Sequence, residues 1–389
     1  MNEAGAEDAG AKHAGAKDAG AKDAGAKDAG AKDAGSGEAG SVDAVAGNAA
    51  VAVCPHCHLF CVEATTSPGR GLPSFAADCP IAAQRESARQ SIRGRSGFRL
   101  GNDSVTRDAW VAAVRQVVAP EIRVAVNDSM DAIRHFLAID QSSDRPRWRL
   151  VAETTTSLRG YREAVRRDGV IAATLGEAAR MSDHVFVVGD VAADFPRWDS
   201  GFDPHVRRQS LPSMGANEVA NWLSRLHQDE LPDARYAAWI LGPRSLADSG
   251  DGAVVAAEML LRLIRSWNDR MDDRRAVVVM LDPNRGLDAV ARWTQNRGIP
   301  SRTHADIRIG SPIAGSQSVV AQIGGVDPGP EWAENYAPAS IAGIDRRGIG
   351  MRADGTVTVP LPKFAEAQPS TETPWRLLEQ ITTDAGSSG

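Results

Sequence analysis

Five short runs of apolar, mostly β-branched residues, at 123–127, 148–153, 184–189, 237–241 and 276–282, alternate with stretches of helical periodicity. Runs that lack a polar residue at every second position read as strands buried on both faces. The intervening stretches predict helices over 108–118, 130–139, 161–167, 217–226, 253–267 and 287–296. This alternation predicts an α/β fold, a mostly parallel, doubly wound sheet. The helix at 253–267 is apolar almost all round, from Val254 and Val255 through Met259, Leu260, Leu261, Leu263 and Ile264 to Trp267. It is therefore either core or packed on another subunit. Trp198, Trp222, Trp267, Trp293, Trp332 and Trp375 stand at helix ends or in polar contexts, which suits rim packing within the chain or anchors of an interface.

The first fifty residues stand apart. From residue 5 to 35 the chain cycles through Ala-Gly-Ala-Lys-Asp and close variants. A glycine in every five residues works against a helix, and nothing in the repeat is large enough to bury, so 1–50 reads as a disordered tail. No stretch has the ~18 uncharged apolar residues needed to span a bilayer, and the tail has no apolar core for a signal peptide. The expectation is a cytoplasmic protein with no membrane partner. A net charge of −6 without any basic run predicts no nucleic-acid partner either. The chain lacks G-x-G-x-x-G after a strand, a Walker A lysine, H-E-x-x-H and G-x-S-x-G. His184, His205 and His304 have no patterned partners and read as structural.

Chemistry concentrates in the cysteines. Cys54, Cys57, Cys61 and Cys79 are the four cysteines of the chain, spaced C-x2-C-x3-C and then a fourth after 17 residues. In a cytoplasmic chain such a group reads as metal ligands before disulfides. Three cysteines bunched in eight residues suit a [4Fe–4S] cluster more than the paired C-x2-C knuckles of zinc sites. Zinc, with His56 or His58 as further donors, and an empty vestigial site remain the alternatives.

The segment from Val53 to Glu63, with Cys54-Pro55-His56-Cys57 and Cys61, resembles the N-terminal cluster motif of molybdopterin oxidoreductases, most of all that of the B-type chain of formylmethanofuran dehydrogenase. Weaker likenesses follow in the same order: Ser104-Val105-Thr106-Arg107-Asp108-Ala109-Trp110, then Leu175-Gly176-Glu177 with 183–190, then Thr303-His304-Ala305-Asp306-Ile307 with Pro312. The resemblance implies an N-terminal cysteine region at 51–100 and molybdopterin-oxidoreductase-like α/β domains at 101–325. A loop-rich arm at 326–389 follows, with a small hairpin at Val357-Thr358-Val359.

The departures from that family are equally informative. Where its members ligate molybdenum or tungsten, residues 152–160 hold Thr154, Thr155, Thr156 and Ser157 and no cysteine. His58 stands where the family has glycine, and Pro80 where it has a cation beside the fourth cysteine. The loop Asp282-Pro283-Asn284-Arg285 resembles one that touches the family's nucleotide, and reads equally as a plain strand-to-turn connection. The resemblance with these losses implies a redox-silent subunit of the B type, not itself catalytic and without molybdopterin or tungsten, in a formyltransferase/hydrolase complex with A, C and D type subunits. A working dehydrogenase subunit and a zinc-stabilised scaffold are the alternatives.

Overall fold

The structure, a computed structural model, describes residues 50–382 except 56, 66–78, 85–96, 119–120, 143–147, 229–231, 271–272, 296–298, 303, 314–315 and 364–371. The repeat tail, His56 and Thr303 thus lie outside the described residues.

Two parallel sheets organise the chain. The first runs through β5 (Ile122–Asn127), β6 (Trp148–Glu153), β11 (Ser301–Arg302), β12 (Ile307–Gly310), β13 (Val319–Ile323) and β14 (Ala333–Ala337). It is completed by the short hairpin β3 (Phe98–Leu100) and β4 (Asp103–Val105), in the order β11-β6-β5-β12-β13-β14-β3-β4. β14 pairs antiparallel to β3, while the strands from β11 to β14 are mutually parallel. The second sheet, β10-β9-β7-β8, is wholly parallel. It uses β7 (His184–Val188), β8 (Arg207–Leu211), β9 (Tyr236–Leu241) and β10 (Arg275–Met280). The expected α/β class with parallel sheets is what the chain adopts, divided between two sheets.

Each of the six expected helical stretches carries a helix, and further helices join them. They are α1 (Arg107–Val117), α2 (Met130–Ser142), α3 (Thr156–Asp168), α4 (Leu175–Met181), α5 (Val191–Asp194), α6 (Ala216–His227), α7 (Asp251–Arg270), α8 (Arg285–Gln295) and α9 (Pro374–Thr382). Threonine side chains start three of them: Thr106, Thr155 and Thr174 each accept the N–H three residues on. Gly169, at φ 71 and ψ 179, ends α3 in a region open essentially to glycine alone.

Both faces of the second sheet are buried at β7, β9 and β10, which is why those strands are almost continuously apolar. One face packs Phe186, Val188, Trp239 and Val278 under Leu158, Trp222, Leu260 and Trp267 of the helices. The other buries Val185, Val187, Ile240 and Val279 against Ala178, Val191 and Phe195. α7 is therefore core of this chain, with Leu260, Leu263 and Trp267 fully buried. Of the six tryptophans singled out, Trp198, Trp222 and Trp267 are buried, Trp375 packs at the edge of a core, and Trp293 and Trp332 stay exposed.

The first sheet is asymmetric. One face carries a helical core of Trp110, Ile133, Phe136, Leu150, Ile307, Ile323 and Leu377. On the other face the buried Arg308 and Gln322, register partners in β12 and β13, lie under loops. Those loops supply acceptors: Gln317 for Arg308, and Gly324 and Val326 for Gln322.

The arm expected at 326–389 is instead woven into the body. Its first part supplies β14, inside the sheet, and its last part supplies α9, whose Leu377, Leu378 and Ile381 pack on the core. The period-3.6 spacing of those three residues drives the docking. Between them, β15 (Gly348–Met351) and β16 (Thr358–Leu361) form the antiparallel hairpin expected near residue 357.

Candidate functional site

In the first sheet the chain runs one way from β5 to β6 and the other way from β12 through β13 to β14. β5 and β12 are neighbours, so the strand order reverses between them, and in doubly wound sheets the crevice at such a point is where ligands bind. Asn127 and Gly310 are register partners at its lip. Gly310 has φ 88, and a Cβ there would overlap the carbonyl oxygen of Asn127.

The cysteine loop sits over this crevice. β1 (Ala50–Val53) and β2 (Val62–Thr65) form an antiparallel hairpin, and the N–H of Cys54 bonds to the carbonyl of Cys61 at 2.9 Å where it opens. A turn follows, closed by the N–H of Phe60 on the carbonyl of Cys57. Phe60 has φ 50, the sole positive value of a non-glycine residue among those described. A bulky residue in that region is uncommon and needs its surroundings to hold it. Pro55, Cys57, His58 and Phe60 of this loop, with Asn127, Asp128, Ser129, Gly310, Ser311 and Gly325 of the sheet end, enclose a cavity of about 60 Å³.

The expected ligands Cys54, Cys57, Cys61 and Cys79 are brought into one neighbourhood but not to one point. Cys54 and Cys79 are buried in a small apolar cluster with Ala82, against which Cys61 and Ile81 pack. Cys57 lines the crevice cavity instead. Four thiols are suitable donors for a cubane cluster or tetrahedral zinc. Among the described residues, however, no three His, Cys, Asp or Glu side chains are grouped as a metal centre, so the arrangement does not present a finished site. Pro80 opens a helical turn in which the N–H of Ala83 bonds the carbonyl of Cys79.

Sequence reasoning missed the charged groups around the crevice. Asp128, at the N-terminal end of α2, is held by both of its oxygens by Arg346, each at 2.7 Å. Arg346 also reaches Ser129 and lies over the Trp375 ring, 5.2 Å from its centre. Behind the lip, Glu153 and Arg308 form a fully buried bidentate pair, with Asn127 and Ser316 also donating to Glu153. The 152–160 segment, without its cysteine, serves packing: Thr155 caps α3, and buried Ser157 accepts the Leu246 N–H at 2.9 Å.

The Asp282-Pro283-Asn284-Arg285 loop ties the sheets together. Asp282 is buried and bonded to Arg162 of α3, while Asn284 donates to the Glu153 carbonyl. Burial pushes Asp282 up, but the positive charges of Arg162 and Arg285 and the Asn284 N–H outweigh it and leave its carboxyl below the usual range. Nearby Asp288 goes the other way, raised by burial and by the charge of Asp282. His184, stacked 4.5 Å from Phe186, is pushed towards its neutral form by burial, as a structural histidine would be.

The second sheet has its own reversal, between β7 and β9, and it is closed by the chain itself. Gly189, at φ 71, abuts the Arg244 carbonyl, and the Ser245 hydroxyl joins the Val188 carbonyl to the Gly242 N–H.

No protein-family model matches the sequence, and no curated protein matches it significantly. Solved structures do. A chain of the formyltransferase/hydrolase complex FhcABCD from Methylorubrum extorquens, crystallised with methylofuran, superposes with a TM-score of 0.51 at 16% identity, over 74% of this chain and 98% of that one. The two chains share a fold. The similarity spans essentially the whole of the FhcABCD chain. Among the described residues no helix is long and apolar enough to cross a membrane.

Proposed function

We propose that this chain is the B-type, redox-silent structural subunit of a formyltransferase/hydrolase complex in one-carbon metabolism linked to tetrahydromethanopterin and methylofuran, with A, C and D type subunits as partners. The observation that carries the reading is the fold shared with almost the full length of a chain from such a complex. The cysteine motif gives the same direction independently, because it resembles that of the B-type chain of formylmethanofuran dehydrogenase.

The redox-silent part is supported by space. Sites for organic ligands of ordinary size run to roughly 300–1,000 Å³. Among the described residues, the cavity between the cysteine loop and the strand ends is about 60 Å³, less than such sites take. The second crevice is filled by Ser245 and the Arg244 carbonyl. An iron–sulfur cluster or zinc on Cys54, Cys57, Cys61 and Cys79 belongs to this proposal as a structural group.

The test is anaerobic purification of the native protein with its partners, followed by identification of the co-purifying chains and elemental analysis. The reading expects a formyltransferase and a hydrolase subunit to co-purify, without molybdenum or tungsten. Stoichiometric molybdenum or tungsten would make it a dehydrogenase subunit. Purification without such partners, with one zinc per chain, would leave a zinc-stabilised scaffold.

A further inference from the structure

The segment between Ile341 and Leu361 crosses the crevice between the cysteine loop and the first turn of α2, and it touches both at close range. On the α2 side, Arg346 pairs with Asp128 and reaches Ser129, and the Ile349 N–H bonds the Asp131 carboxylate at 3.0 Å. On the cysteine side, the Ala353 N–H bonds the His58 carbonyl at 2.7 Å, and the Ala353 carbonyl accepts the Asp282 N–H. Three glycines make the passage narrow enough. A Cβ at Gly343 would meet the Pro55 ring at 2.9 Å, one at Gly348 would meet Ala342 and Ser129 at 2.9 and 3.0 Å, and one at Gly350 would overlap the ring of Phe60. Ala342 and Leu361 also share an apolar cluster with Val53 and Phe60.

In a doubly wound fold, the N-terminus of the helix after a switch-point strand is where an anionic ligand is received. Here Asp128 supplies the negative charge and Arg346 neutralises it, both from the chain itself. We propose that the 341–361 segment is an internal strap that occupies the crevice in place of a ligand and holds the cysteine loop in position whether or not the cysteines carry a metal. The strained backbone of Phe60 fits this role: its ring lies on Gly350 and meets His58 edge-on at 5.7 Å, so the strap fixes the loop where the loop is least able to fix itself. The strap acts whether or not the chain sits in a larger complex.

The test is the rate at which Cys57, at the crevice, is alkylated in the full-length protein, followed by mass spectrometry. In the unaltered chain, stripped of any metal by a strong chelator, the rate should stay low. Gly350→Leu, which drives a side chain into the Phe60 ring, should raise it at least tenfold while circular dichroism keeps its α/β signature. Should that variant not fold, Arg346→Gln, which removes the charge that pairs with Asp128 and lies over Trp375, carries the same comparison. A rate in the stripped, unaltered chain as fast as that of the strap variant would assign the holding to a metal and overturn the proposal. An unchanged rate in the folded strap variant would overturn it as well.

Discussion

Arg308 of β12 and Glu153 at the end of β6 meet through two 2.8 Å hydrogen bonds, with neither side chain exposed. The pair crosses over β5, the strand between them, and fastens the sheet at the end where the crevice opens. Removing one member of a buried pair leaves an uncompensated charge and costs about 3–5 kcal/mol. Arg308→Met should lower the unfolding free energy by that amount in urea titrations, and adding Glu153→Leu should recover more than half of it. A single variant as stable as the parent would mean that the pair is solvated in solution.

Asp282 gives a pH prediction with a definite sign. Its folded carboxyl titrates below its unfolded value of 3.8, so its contribution is complete above that value and is lost as pH falls through the lower folded one. Raised Asp288 acts oppositely: protonation in the folded state relieves its cost as pH falls from its raised value towards 3.8. In Asp282→Asn the acid loss below about pH 4 should become shallower, while stability at pH 7 falls because Arg162 loses a partner. Stability curves from pH 2 to 7 for the two proteins check both limbs.

Tryptophans of different burial should behave differently. Trp267, fully buried between α7 and the second sheet, should cost about 3–5 kcal/mol when replaced by alanine. Trp293 and Trp332, 67% and 47% exposed, should each stay within about 0.5 kcal/mol. Denaturant midpoints decide this. A large loss at Trp293 would mean that its ring is covered by protein in solution.

Gly189 should tolerate no side chain. At φ 71 and against the Arg244 carbonyl, Gly189→Ala combines backbone strain with overlap, and should cost more than the ~1 kcal/mol of an ordinary glycine replacement at positive φ. Thermal melts of the variant beside Gly169→Ala, where φ is also 71 but the space is open, separate strain from overlap.

Much of the fold was legible because its strands are apolar runs of the length that buried parallel strands have: β5, β6, β7, β9 and β10 lie where the runs lie. β12, β13 and β14 escaped because the buried polar residues Arg308, Gln322 and Asn335 interrupt them; loops cover the first two, and Asn335 donates to the Val320 carbonyl of β13. β8, a charged edge strand of Arg207, Arg208 and Gln209, carries almost no apolar signal. Of the site, the cysteine loop could be read, but its neighbours could not. Arg346 and Asp128 are 218 residues apart, and nothing local in either segment announces the other. The alternation Gly348-Ile349-Gly350 beside a predicted hairpin was the one available hint of a close backbone approach.

The order of strands bears on how the chain is made. The second sheet is assembled from a continuous stretch, residues 184–280, and can close as soon as that stretch has left the ribosome. The first cannot. β5 waits for β12, and the early hairpin β3–β4 has no partner until β14 arrives, some 235 residues later, to pair Asn335 with Leu100. Until then a nascent chain carries bare strand edges, the condition under which chains pair wrongly with one another. A late-made strand of this chain thus protects an early-made hairpin, and truncation before β14 should yield aggregates rather than a smaller folded protein.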